Sequence, residues 1–209
     1  MKKIKWYFDF ISPYAYLQSA RLNELSNLAK IECIPLLFSG LLDYWGQKGP
    51  AEIVPKKRFT FRQCLWRARK MGIPYKTPHK HPFNPLRALR LAIAMGADLS
   101  AVQRIFCSIW VDGNLPDEDS GWLSIQKALN IEDGDKQVEN AKVKKALISN
   151  GELARQEGVF GVPSCCVDGH MFWGDDALEM VISYLKKSDL FESEEMQRID
   201  SLRGISRRN

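Results

Sequence analysis

Trp6-Tyr7-Phe8-Asp9-Phe10-Ile11-Ser12-Pro13-Tyr14-Ala15-Tyr16 reads as a strand that turns into a helix. Lys3 to Phe10 alternates and is rich in aromatics, the pattern of a strand buried in a sheet. Proline suits the first position of a helix, and the residue before it can cap, so Ser12 stands where the strand has ended and the helix begins. The free N–H groups of that helix start, together with the Ser12 hydroxyl, would meet anything negative that docks there. Helical spacing continues from Pro13 to Ala29 through Tyr16, Leu17, Ala20, Leu22, Leu25 and Leu28. Ile31 to Phe38 is a second apolar strand. Strand, helix and strand in so short a span predict a right-handed parallel βαβ unit.

Strand signals vanish after Ser39-Gly40. Helical periodicity recurs in Lys56–Met71, Pro85–Met95, Val102–Asp112, Trp122–Leu129 and Asp135–Asn150, broken by Gly72-Ile73-Pro74, Gly96, Gly113-Asn114-Leu115-Pro116 and Gly134. This predicts an insertion of about four or five helices. Strands return at Val162-Pro163-Ser164-Cys165-Cys166-Val167 and His170-Met171-Phe172-Trp173, and Asp168-Gly169 between them is a strong hairpin signal. A last helix spans Asp175 to Lys187, and a charged tail ending Ser206-Arg207-Arg208-Asn209 predicts a frayed helical extension. The sum, βαβ…αββα, is an α/β thioredoxin-like fold interrupted by a large all-helical insertion. Residues 1–39 and 151–190 are assigned to the thioredoxin-like domain, 40–150 to the insertion and 191–209 to a C-terminal extension. That fold carries the first cysteine of a C-x-x-C pair at the helix start. Here the four residues are Ser12-Pro13-Tyr14-Ala15, which excludes internal dithiol–disulfide exchange.

Composition narrows the choice. A net charge of +5, without a basic run, argues against nucleic acid and suits a cationic pocket for a small carboxylate. No apolar run approaches a membrane span, and no signal peptide is read at the N-terminus. Cys33, Cys64, Cys107, Cys165 and Cys166 are an odd count without framework spacing, so they read as free thiols in a reducing cytoplasm.

Three pieces converge in such a fold. Ser12 heads the first helix. Val162-Pro163 opens a strand opposite it; a proline there cannot donate to the ladder, and a cis bond would place the Val162 backbone for antiparallel bonding to a peptide-like ligand. Trp173-Gly174-Asp175-Asp176 is a turn at the head of the last helix, where N–H groups can bind a carboxylate and Asp176 an ammonium. A ligand with a thiol, peptide amides and an amino-acid head group would engage all three, and glutathione is such a ligand.

The sequence resembles the 2-hydroxychromene-2-carboxylate isomerase family, relatives of kappa-class glutathione transferases. The resemblance rests on Tyr7–Tyr16, Pro50-Ala51-Glu52-Ile53, Pro82-Phe83-Asn84-Pro85-Leu86-Arg87-Ala88, Gly158-Val159-Phe160-Gly161-Val162-Pro163 and Val167–Asp176, in family order. It implies a dimer with glutathione at the junction of the two domains. By the same match, Ser12 is the catalytic serine, donating a hydrogen bond that favours the glutathione thiolate. The thiolate adds to the substrate, rotation about a transiently single bond follows, and glutathione is regenerated. Val162, Pro163, Gly174, Asp175 and Asp176 match glutathione contacts, and Lys57 and Gln47 match positions that meet its glycyl end. Asp43, Asn84 and Pro85 fall on the substrate side. Asp43 stands where the isomerases carry a lysine for the substrate carboxylate, Gln47 stands for the turn asparagine, and Ala177 for an arginine.

Each site residue also has a plain structural reading. Ser12 could be an N-cap, Asp175 and Asp176 acids at a helix start, and Asn84 a cap. His79-Lys80-His81 reads as a solvated loop, since two histidines make a poor metal site. Phe59, Phe61 and Trp66 read as core or cleft wall, Trp110 and Trp122 as core, and Cys165 as a buried strand cysteine. Three functions follow: a glutathione-dependent isomerase of an aromatic or conjugated keto-acid, a kappa-like transferase or peroxidase acting on electrophiles, and a non-catalytic glutathione-binding protein.

Overall fold

The computed structural model describes residues 1–202; Ser206-Arg207-Arg208-Asn209 lies outside them. A mixed sheet of four strands, in the order β2-β1-β3-β4, holds the molecule together. β1 (Lys2–Phe8) is central, parallel to β2 (Ala29–Pro35) and antiparallel to β3 (Ser164–Val167), and β4 (His170–Trp173) closes the sheet antiparallel to β3. The β3–β4 turn takes positive φ at both Asp168 (50°) and Gly169 (83°), as the Asp-Gly pair predicts. Burial follows from β1's alternation. Trp6 and Phe8 face one layer with Phe10 and Phe106, while Tyr7 faces the other with Ile34, Leu41, Val162 and Cys166.

The βαβ unit forms with a shorter helix than its periodicity predicts. α1 (Pro13–Ser19) begins at Ser12, whose hydroxyl accepts the Ala15 N–H at 3.2 Å. It stops at Ser19 rather than Ala29, because Gln103 Nε2 donates to the Ser19 carbonyl at 2.6 Å and the Ser19 hydroxyl donates back to the Tyr16 carbonyl. Leu22 and Leu25 are then buried from a 3₁₀ turn, Leu22–Leu25, and the chain is in β2 by Ala29.

The insertion holds more helices than predicted: α2 (Phe38–Trp45), α3 (Val54–Met71), α4 (Leu86–Ala94), α5 (Leu99–Cys107), α6 (Asp119–Leu129), α7 (Gly134–Glu139) and α8 (Ala141–Gln156). α2 falls where the second strand was predicted to end. Its start is held by Asp9, whose Oδ2 accepts the Phe38 N–H at 2.9 Å, and Gly46 in the left-handed region (φ 62°) ends it. The predicted Asp135–Asn150 helix is two, split at Asn140, whose side chain accepts the Lys142 N–H at 2.8 Å. α5 runs on into a π turn, Ser108–Asp112. The 150/151 boundary lies within α8. α9 (Leu178–Lys186) follows β4, and α10 (Glu194–Asp200) begins at Ser193.

Other expectations shift. Phe59 and Trp66 lie exposed on the outer face of α3, with 64% and 59% of their surface accessible, whereas Trp110 and Trp122 are core. No cysteine is paired among the described residues. Among the described residues no helix is long and apolar enough to cross a membrane.

Candidate functional site

Ser12 is buried, with 7% of its surface accessible, at the head of α1. The turn before it is tight: the Ser12 N–H donates to the Asp9 carbonyl at 3.1 Å, and the Ile11 N–H to Asp9 Oδ1 at 3.1 Å. Burial pushes the Asp9 carboxyl up to about 7, against the lowering effect of the backbone N–H groups it accepts. Across from the turn the Val162–Pro163 peptide is cis, and Ser12 Oγ donates to the Val162 carbonyl at 3.4 Å. β3 starts only at Ser164, and among the described residues the Val162 N–H has no acceptor.

The third piece is bonded to the second. The Gly174 N–H donates to the Pro163 carbonyl at 2.9 Å, and the Gly174 carbonyl accepts from Gln18 Nε2 at 2.8 Å. Gln18 in turn accepts from Trp6 Nε1 at 2.7 Å, so β1, α1 and the Gly174 turn share one buried amide. Gly174 has φ +100°, and a Cβ there would lie 2.5 Å from Asp176 Oδ1, so only glycine lets the exposed Asp176 carboxylate fold over it. Asp175 is buried and its Oδ2 lies 2.8 Å from an Arg67 guanidinium nitrogen of α3. Burial raises its carboxyl to about 6, while Arg67 opposes the rise. Asp175 therefore points into the protein and Asp176 outward.

Ser12, Val162, Pro163, Gly174, Asp175 and Asp176 thus lie in one hydrogen-bonded neighbourhood. Lys57 joins it through His81: Lys57 Nζ donates to the His81 carbonyl at 2.5 Å, and His81 Nε2 meets the Ile11 carbonyl at 3.0 Å. Asp43 and Gln47 are exposed at the end of α2 and make no side-chain bond among the described residues. Asn84 is a cap, its Oδ1 accepting the Leu86 N–H at 3.0 Å, and Pro85 is buried beside it. Asn84 lines a surface cleft of about 220 Å³ with Arg87 and Asp117, which Ser12, Val162 and Gly174 do not line.

Four residues here went unread in the sequence as parts of the site: Asp9, Gln18, Arg67 and His81. Asp9 had a signal, an acid between Phe8 and Phe10 at a strand's end. His81 is not in a solvated loop. Its ring is half-buried, edge-on to Phe61 with centroids 4.9 Å apart, whereas the side chains of His79 and Lys80 stand in solvent, paired with Glu118 and Asp117. Cys165 and Cys166 lie close to Pro163 but are buried; burial drives the Cys166 thiol up to about 12 and that of Cys165 upward too, so neither supplies a thiolate.

Residues 3–186 match the family of DsbA-like thioredoxin domains. A 2-hydroxychromene-2-carboxylate isomerase of Sphingobium xenophagum is 30% identical over 196 residues, covering 88% of this chain and 98% of its own. Glutathione S-transferase kappa 2 of Caenorhabditis elegans is 25% identical over 206 residues, covering 88% and 92%. A solved 2-hydroxychromene-2-carboxylate isomerase superposes with a TM-score of 0.78 at 21% identity, over 96% of this chain and all of that one, which shows the shared fold. On this family match and this identity over nearly the whole chain, the protein belongs to the 2-hydroxychromene-2-carboxylate isomerase family of DsbA-like thioredoxin proteins, akin to the kappa-class glutathione transferases.

Proposed function

We propose that the protein is a glutathione-dependent isomerase of the 2-hydroxychromene-2-carboxylate isomerase type, acting on an aromatic or conjugated keto-acid. The observation that carries this reading is the Ser12 hydroxyl, set at a helix head against the cis Val162–Pro163 peptide in a turn without cysteine. The residues around it suit glutathione: a hydroxyl donor, a Val162 N–H unpaired among the described residues and an exposed carboxylate over Gly174 match a thiol, a peptide and an ammonium. Glutathione would supply the sulfur nucleophile that the Ser12 turn itself lacks.

The chain's own part is to bind and to bias. Ser12 would turn its proton from the long bond to Val162 toward the sulfur, and the α1 N-terminus would favour the negative charge. The Val162 backbone would pair with the peptide, Asp176 would hold the ammonium, and Asp175, fixed by Arg67, would keep the turn in place. Lys57 and Gln47 would serve the glycyl carboxylate, with Asp43, Asn84 and Pro85 toward the substrate. The reading includes a cytoplasmic homodimer; the unpaired cysteines agree with a reducing compartment.

Calorimetry with glutathione tests the reading, followed by turnover of 2-hydroxychromene-2-carboxylate. Absence of glutathione binding would sink it. A second reading, a kappa-like transferase or peroxidase, is favoured by Asp43, which puts a negative charge where an anionic substrate needs a positive one. An aryl halide or a hydroperoxide, turned over in preference to the chromene, would decide for it. A non-catalytic glutathione-binding protein would bind glutathione and turn over none of these.

A further inference from the structure

The Ser12 turn is held from outside its own segment, and two of the holding groups come from the insertion. Trp110 Nε1–H donates to the Phe10 carbonyl at 2.9 Å. The Ile11 peptide is gripped at both ends: Asp9 accepts its N–H, and His81 meets its carbonyl at 3.0 Å. A carbonyl only accepts, so His81 Nε2 carries a hydrogen and, in the neutral ring, Nδ1 is left as a lone pair. Nδ1 is buried and has no partner among the described residues. The ring is walled by Phe61, Phe83 and Trp110, and among the described residues the charged group that acts on it is Lys57, bonded to the His81 carbonyl. A proton on Nδ1 would therefore find no acceptor and a cation nearby.

We propose that His81 is a positioning residue for Ser12: its Nε2–H fixes the Ile11 carbonyl and so aims the Ser12 hydroxyl at the head of α1. The helical insertion thereby sets the geometry of a turn that belongs to the thioredoxin-like domain. Its consequence for turnover rests on the reading of Ser12 as the partner of the glutathione thiolate.

Two substitutions separate positioning from packing. His81→Phe keeps an aromatic ring against Phe61 and Phe83 but has no donor; His81→Gln keeps an N–H donor of similar reach and does not titrate. Expected for His81→Phe are a fall in kcat of about tenfold or more, glutathione affinity within about threefold, and faster hydrogen exchange at the Ile11, Ser12 and Ala15 amides. His81→Gln restores most of the kcat and the protection. Unchanged turn protection in His81→Phe overturns the proposal. So do equal losses in both variants, which would make the ring's shape the whole effect. If the wild type binds no glutathione, the thiolate reading fails by itself; exchange at the turn then still decides whether His81 holds Ile11.

Discussion

Ser12 Oγ lies 3.4 Å from the Val162 carbonyl oxygen, a contact between residues 150 positions apart that joins the head of α1 to the cis-proline peptide. The bond is long for O–H···O, which typically falls near 2.7–2.8 Å. The same oxygen accepts the Ala15 N–H, so the hydroxyl is anchored as an acceptor while its proton is held only weakly. A better acceptor, a thiolate above all, would take that proton without disturbing the cap.

Ser12→Ala should therefore separate chemistry from binding. We expect kcat to fall by about 100-fold, the scale for losing one donor aimed at developing charge. Glutathione affinity, set by backbone and carboxylate contacts, should change by less than about threefold. The lost cap should lower stability by about 1 kcal/mol. Steady-state kinetics, calorimetry and urea denaturation measure the three; a loss of affinity with kcat unchanged would place Ser12 in binding alone.

Arg67→Ala tests whether Asp175 is the internal anchor of the Gly174 turn. The pair closes at 2.8 Å, with the Asp175 side chain 5% accessible and that of Arg67 21%. Asp175 has a folded pKa near 6, raised above its ordinary value, so its ionisation already costs stability as pH rises toward that point. Without Arg67 the carboxylate is left uncompensated, and the loss should widen as pH rises from 5 to 8. We expect about 3 kcal/mol at pH 8, the low end for a broken buried pair because Arg67 is partly exposed, and clearly less at pH 5. A difference that does not depend on pH would mean that Arg67 contributes packing only.

What the sequence made legible, and what it hid, follows from the range of the forces involved. Ser12-Pro13, Asp168-Gly169 and Val162-Pro163 act on their own backbone, and each produced the turn, hairpin or cis bond its residues predict. The failures have distant causes. α1 ends because Gln103 takes the Ser19 carbonyl, and α2 begins because Asp9 takes the Phe38 N–H. His81 looked solvated because its neighbours His79 and Lys80 are; its partner, Ile11, lies 70 residues away. Arg67 and Asp175 meet only once α3 packs against α1. The three-part site was readable because family motifs mark it, whereas the groups that brace it leave no local pattern.

Asp9→Asn should flatten a specific part of the stability profile. The Asp9 carboxyl is raised by burial to about 7. Unfolded, it ionises near its ordinary value of 3.8, so its contribution is fully present below that pH and is lost as pH rises through about 7. Asparagine keeps one acceptor for either the Ile11 or the Phe38 N–H and cannot ionise. Thermal melts from pH 4 to pH 8 should show wild type losing stability relative to Asp9→Asn across this window. Parallel curves would mean that the two N–H bonds fully offset the burial of the charge.

Asp43→Lys decides between an isomerase and a transferase. Asp43 is exposed in the last turn of α2 and has no side-chain partner among the described residues, so reversing it breaks no internal bond. A lysine there also suits the negative end of the helix dipole, so the fold should gain a few tenths of a kcal/mol or stay unchanged. If α2 faces the substrate, the reversal removes a repulsion and adds an attraction for an anionic acid. In a partly solvated site each is worth about 1 kcal/mol at a few ångström. The kcat/KM for 2-hydroxychromene-2-carboxylate should then rise by about tenfold or more, with a gain that shrinks at high salt, while that for a neutral aryl halide stays within about twofold. Equal, small effects on both substrates would place Asp43 outside the substrate's reach. A loss with a cationic or neutral electrophile, and no gain with the chromene, would show that the aspartate serves a substrate other than an acid, as a kappa-like transferase requires.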